Sequence, residues 1–229
     1  MGIISQLIIN GIIAGSVYAL VALGFNLIYG ATRFFNLAHG VMVAISGYIV
    51  FYFGKTLGLN IYLSIAIGIL LAGLIGYGLD KLIYLPLRKR KASNMVMLVA
   101  SLGAFTALQA IIAILFTSQF QVLYQNVANQ RIFEIFGGSI TQTQAVIFIS
   151  AVVVFSILAL LLKLTMFGKA VRAISDDEEV ARIVGINTNK IISRVFFVGS
   201  AIAGLAGILV GFDTGIEPTM GLSLLLKGV

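Results

Sequence analysis

The sequence predicts an all-α fold, a polytopic transmembrane helical bundle, and three observations carry that expectation. Of 229 residues, 60% are hydrophobic and only 10% are charged, whereas soluble domains are about 25% charged. Six stretches, at residues 7–29, 34–53, 61–79, 95–117, 144–162 and 195–212, run apolar without Asp, Glu, Lys or Arg. Each approaches the roughly 20 residues that a helix needs to cross a hydrocarbon core. Finally, the stretches are apolar all round. A soluble helical domain would show charged faces at helical spacing, and a β-barrel would alternate over about 10 residues.

Taken in order, the first stretch follows "MGIISQLIIN", which lacks a basic n-region. The run is too long for a signal-peptide core, so it is expected to remain as helix one. The second opens with "FFNLAHG", residues 34–40, which holds the only histidine. Two readings stand here. Asn36 and His39 sit in a short interfacial loop, or the chain is broken and its freed backbone groups line a cavity, since irregular backbone at membrane depth is tolerated only beside protein or water.

The third stretch leads into "DKLIYLPLRKRK", residues 80–91, read as a loop with Lys81, Arg88, Lys89, Arg90 and Lys91 against one acid. After the fourth, residues 118–143 carry only Arg131 and Glu134; after the fifth, residues 163–194 carry six basic and four acidic residues; after the sixth, residues 213–221 carry two acids. The positive-inside rule puts 80–91 and 163–194 in the cytoplasm and the other two segments outside. Arg33 then falls inside, and Lys55 and the N-terminus outside. The net charge of +7 is thus mostly topology, with no call for nucleic acid. A further apolar run from Leu222 stops at Val229, giving six full spans and a truncated seventh within one transmembrane domain, 1–229.

Small residues recur every fourth position at Gly199, Ala203, Gly207 and Gly211, at Gly11, Gly15 and Ala19, and at Gly68, Ala72 and Gly76. Close packing through such residues drives helix association in lipid. Packing within one bundle is the expectation for all three series, ahead of a dedicated dimer face.

The segment 164–192 is expected to be cytoplasmic. Half of the acids, Asp176, Asp177, Glu178 and Glu179, stand in consecutive positions. Ser175 with Glu178 reads as a capping box, acids favour a helix N-terminus, and Gly185 is placed to end the helix. Val180, Ile183 and Val184 form a short apolar stripe. A helix of about ten residues is marginal alone. Interfacial helices usually carry basic polar faces, so the four acids favour docking to a cytoplasmic protein.

"GFNLIYG", "FNLAHG", "GKAVRAISDDEEVARIVGI", "VGSAIAGLAGILVG" and "GIEPTMGLSLLLKG", in this order, resemble the membrane permease of branched-chain amino-acid ABC importers, the Liv type. The resemblance implies a bacterial or archaeal inner-membrane importer. Two permease subunits, the same or related, form the pathway, two cytoplasmic ATPases dock on coupling helices, and an extracytoplasmic binding protein delivers the amino acid. It also implies further helices beyond "LLLKG". Arg172 and Ala173 match the family's "RA" pair, and Gly185 and Ile186 its "GI". Ser175, Asp176, Glu178, Glu179, Val180, Arg182, Ile183 and Val184 complete the expected coupling surface. Asn26, Asn36, His39 and Gly40 are the candidates for lining the pathway, because half-helix ends offer dipoles to a zwitterion.

Other chemistries find little support. There is no cysteine, no second histidine, and no HExxH, GxSxG or GxxxxGK[ST] motif, so metal, nucleophilic and ATP chemistry are not expected of this chain and no cofactor is implied. An uncoupled channel or a secondary transporter for small solutes is the alternative. Coupled carriers commonly use an intramembrane carboxylate or a basic residue, and no Asp, Glu, Lys or Arg stands in the predicted spans.

Overall fold

The computed structural model describes residues 2–123, 132–135 and 137–229; Arg131, counted above with the outer loop, lies outside them. Helix α1 (Gly2–Thr32) has 31 residues, about 46 Å at 1.5 Å per residue, enough to cross the hydrocarbon core and project beyond it. It ends where Arg33 takes a left-handed φ of 55°. The chain then runs without regular structure to α2 (Ala38–Val50), which passes into a π-helical turn, Phe51–Thr56. The second expected span is therefore corrected. It begins four residues later and is a shorter α-helix with a distorted end, not one continuous apolar rod. Every residue of α2 except Ile49 is buried, so protein surrounds it on all sides.

Helix α3 (Ile61–Leu79) is capped by Asn60, whose side chain accepts from the Tyr62 amide at 2.9 Å. Residues 80–91, expected as a loop, instead continue that helix through a π turn, Asp80–Tyr84, into α4 (Leu85–Lys89). Pro86, which has no N–H to give the helical ladder, falls directly after this π turn. Helix α5 (Asn94–Phe116) is capped by Ser93. Strands β1 (Ile132–Ile135) and β2 (Gly138–Thr141) form an antiparallel hairpin, the one departure from an all-helical fold among the described residues. Helix α6 (Gln142–Leu164) starts with a full capping box between Thr141 and Gln144. Helices α7 (Met166–Asp176), α8 (Glu178–Ile183), α9 (Thr188–Asp213) and α10 (Met220–Gly228) complete the chain.

Among the described residues, five helical segments are long and apolar enough to cross a membrane: Ile3–Thr32, Ile61–Lys89, Asn94–Phe116, Gln142–Leu164 and Thr188–Asp213. Helix α9 is the most buried of them and α6 the least. The outer helices expose Leu70, Leu74, Ile114, Phe155 and Leu160, a surface suited to lipid rather than water.

The small residues of α9 explain its central place. A Cβ on Gly207 would stand 1.9 Å from the Val43 carbonyl of α2, and one on Gly199 2.8 Å from the Gly24 carbonyl of α1. Ser46 donates to the Gly204 carbonyl at 2.7 Å across the same seam. Gly76 of α3 lies against Ser200 and Gly68 against Val50. The α1 series behaves differently: nothing lies within 4 Å of a Cβ on Gly11 or Gly15, so the expectation of close packing within the bundle does not hold there.

The charged segments gather at one end. Arg33 donates to the Ser175 carbonyl, and Asn94 donates to the Arg33 carbonyl at 3.3 Å. At the opposite end Gln6 accepts from the Ser139 amide at 2.8 Å, and Gln121 pairs with Ile216.

Candidate pathway and coupling sites

The interruption at residues 33–37 lies inside the bundle. His39 Nε2 is 3.2 Å from the Val21 carbonyl, and a Cβ on Gly24 would meet the same ring at 2.9 Å. Gly24 stands eight residues before the end of α1, about 12 Å along its axis. The α2 N-terminus is thus well below that end, and the irregular backbone needs partners from protein. Ser101 of α5 supplies two of them, accepting from the Leu37 amide at 3.1 Å and donating to the Phe35 carbonyl at 3.3 Å. Asn36, 2% exposed, accepts from the Tyr84 hydroxyl at 2.8 Å. Tyr84 stacks on Phe196 with ring centroids 5.2 Å apart.

His39 is 1% exposed. A carbonyl can only accept, so Nε2 carries the proton and donates to Val21; Nδ1 has no partner among the described residues. Gly40 packs backbone to backbone on Gly221, with a Cβ on Gly40 placed 2.9 Å from the Gly221 carbonyl. The N-terminal turns of α2 and α10 therefore meet inside the protein, and neither receives a side-chain cap. Asn36, His39 and Gly40 are brought together by this geometry. Asn26 is apart from them: it is exposed on α1 and lines a groove of about 470 Å³ with Gly15, Ser16, Ala19, Ala151 and Phe155.

The segment expected as one capped helix is a helix pair. Thr165 caps α7, and Val171 and Ile174 bury its inner face. Arg172, exposed, donates to the Leu162 carbonyl. Ser175 and Asp176 end α7 instead of starting the next helix. The cap of α8 is Asp177, whose carboxylate accepts from the Glu179 and Val180 amides at 2.8 and 3.0 Å. The Ser175 capping box is thereby corrected. A two-residue frame shift wins because a carboxylate at the cap also meets the positive end of the helix dipole. Gly185 does end α8, at φ 90°. Its amide donates to the Arg182 carbonyl and the Ile186 amide to the Ala181 carbonyl, the paired closure of a Schellman motif.

Ala181 is the buried anchor of α8, whereas Val180, Ile183 and Val184 are 54%, 79% and 69% exposed. Glu178 accepts from Arg182 at 2.7 Å and from the Thr188 hydroxyl at 3.1 Å, tying α8 to the start of α9. Glu179 is exposed.

One buried group escaped sequence reasoning. Asp80, fully buried, accepts from Arg88 Nη1 at 2.7 Å and from the Ser193 hydroxyl at 2.6 Å. Counted as a loop charge, it is instead the carboxylate that clamps the α3–α4 rod to α9. The available signal was its place directly after a 19-residue apolar helix, with Arg88 two turns further on.

A bundle of membrane-length helices around a buried broken helix, carrying a helix pair at its charged end, defines a polytopic membrane protein of the transporter class. The chain belongs to the family described as branched-chain amino acid transport system, permease component, whose model matches residues 7–229. It is 32% identical over 228 residues to the high-affinity branched-chain amino acid transport system permease protein LivH of Salmonella typhimurium, covering 94% of this chain and 73% of the relative. It is 29% identical over 228 residues to BraD of Pseudomonas aeruginosa, covering 94% and 74%. It is 29% identical over 223 residues to a probable LivH of Methanocaldococcus jannaschii, covering 94% and 69%. No solved structure matches. The chain is accordingly an integral membrane transport component and not an enzyme.

Proposed function

We propose that this chain is the permease subunit of an ATP-driven importer of branched-chain or related apolar amino acids, resident in the cytoplasmic, or inner, membrane of a bacterium or archaeon. The relatives' printed names supply the substrate class. Asn26, Asn36, His39 and Gly40 line the pathway in this reading, with the meeting N-termini of α2 and α10 offering their dipoles to the substrate carboxylate. A second permease subunit, the same or related, completes the pathway, and a separate extracytoplasmic protein presents the amino acid.

One observation carries the coupling role. Helix α8 is fixed by its own caps, its Glu178 contacts and the buried Ala181, yet it presents Val180, Ile183 and Val184 outward. At the charged end of a membrane protein, such a stripe suits a groove on a cytoplasmic ATPase, with Glu179 and Arg182 at its rim. Arg172 and Ser175, on α7 directly before it, would pass movement of α8 to α6 through the Leu162 carbonyl and to the end of α1 through Arg33.

The test is uptake by the assembled complex. Labelled leucine should enter with ATP hydrolysis, with competition by isoleucine and valine, and Ile183→Asp should lower uptake at least tenfold while leaving membrane insertion intact. Truncating a buried anchor removes about 2 kcal/mol or more at a hot spot. A cysteine at Glu179 should cross-link to the ATPase. Unchanged uptake in Ile183→Asp together with no cross-link in an active complex would remove the coupling assignment.

A further inference from the structure

Beside the helix pair lies a polar cavity of about 490 Å³ that neither pathway nor coupling explains. Arg88 and Lys89 line it from the end of α4, Lys91 from the turn that follows, Asn94 from the start of α5, and Glu178 with Arg182 from α8. Four cations therefore face this space or its wall against two carboxylates. One of these, Asp80, sits behind Arg88 and is fully buried, and the other, Glu178, is already engaged by Arg182 and Thr188.

Arg88 is the telling residue. Its side chain is 13% exposed and uses Nη1 for Asp80, while Nε and Nη2 are buried without a hydrogen-bond partner among the described residues. A guanidinium offers five N–H donors in a planar fork matched to carboxylate and phosphate oxygens. Leaving two donor atoms buried and unmade is costly, and more so on a charged group. Lys89 and Lys91 make no ion pair among the described residues.

The geometry points to a binding site for a phosphate group, with Arg88 at its base and Lys89, Lys91 and Arg182 around it. Basic pockets between membrane helices on the cytoplasmic side take phospholipid headgroups by this chemistry. Leu82, in the π turn before α4, and Met95, which follows Asn94 in α5, are exposed apolar residues on the elements that carry the site. Because α4, α5 and α8 all contribute, a bound phosphate ties the helix pair to the transmembrane rods.

The experiment uses the full chain in detergent, with native mass spectrometry counting bound phosphatidylglycerol, phosphatidylcholine or inorganic phosphate. Phosphatidylglycerol should bind in preference to phosphatidylcholine. The Lys89→Gln/Lys91→Gln double variant should weaken it about tenfold or more, at roughly 1 kcal/mol per cation near the surface. Arg88→Lys, which keeps a partner for Asp80 but loses the fork, should weaken it as well. Lys55→Gln, at the opposite end, should change nothing. If inorganic phosphate binds with the same dependence on Lys89 and Lys91 and phosphatidylglycerol shows no preference, the ligand is free phosphate at the same site. Loss of neither ligand in the double lysine variant, or an equal loss in Lys55→Gln, overturns the site. These readouts need no transport, so they stand apart from the coupling test.

Discussion

Asp80 shows how much of this bundle's stability rests on single polar residues. Its carboxylate joins two rods that otherwise meet through close glycine contacts and the Tyr84–Phe196 stack, with Arg88 and Ser193 both donating to it. Removing one member of a buried ion pair strands the other, at about 3–5 kcal/mol. Asp80→Ala should therefore lower the detergent melting temperature far more than Ser193→Ala, which loses one hydrogen bond worth about 1 kcal/mol. Equal melting of the two variants would show that Arg88 finds another partner. Gly207 marks the opposite case: its backbone touches Val43 and no side chain fits, and the sequence displays this as a four-residue repeat. Asp80 has no comparable signature, because a lone acid beside five basic residues reads as loop charge until the helix is seen to continue through a π turn.

At the scale of the element, the helix pair after α6 separates composition from frame. Four consecutive acids, an apolar triplet and a glycine announce a short capped helix, and α8 is that helix. Its start is decided by Asp177, which adopts extended backbone between α7 and α8. Asp177→Ala should lose about 1 kcal/mol of local helix stability, within the usual range for a cap. Hydrogen exchange at the Glu179 and Val180 amides should accelerate about fivefold or more, and Ser175→Ala should leave them unchanged. Faster exchange in the serine variant alone would restore the box at Ser175. The broken second helix follows the same logic. Asn36, His39 and Gly40 announce an interruption, but only Ser101 and Tyr84, 64 and 48 residues beyond the atoms they bind, make it tolerable inside the bundle.

Across the whole molecule, charge and contact agree on two ends. The end of the α3–α4 rod and the helix pair share one end, linked through Arg33, Ser175 and Asn94, while the hairpin and the Gln121–Ile216 bridge occupy the other. With no native cysteine, single cysteines at the exposed Arg90 and Glu134 report orientation directly. An impermeant thiol reagent added to intact cells should label Glu134→Cys and leave Arg90→Cys unlabelled until the membrane is opened. The reverse pattern would invert the topology and place the helix pair away from ATP.

By itself the sequence determined the membrane class, five long spans to within a few residues at most ends, the small-residue seam along α9, and the outward stripe of α8. These features are local in the chain: apolar length, four-residue spacing and a cap sequence act within one element. Tertiary structure alone decided that α2 is the enclosed helix, that its N-terminus meets that of α10 at Gly40 and Gly221, that Asp80 is a clamp, and that Gly11 and Gly15 of α1 stay uncovered. Each of these depends on partners far apart along the chain, and in lipid, where hydrophobicity is alike on every side, only shape and polar pairing choose which face of a helix meets which neighbour.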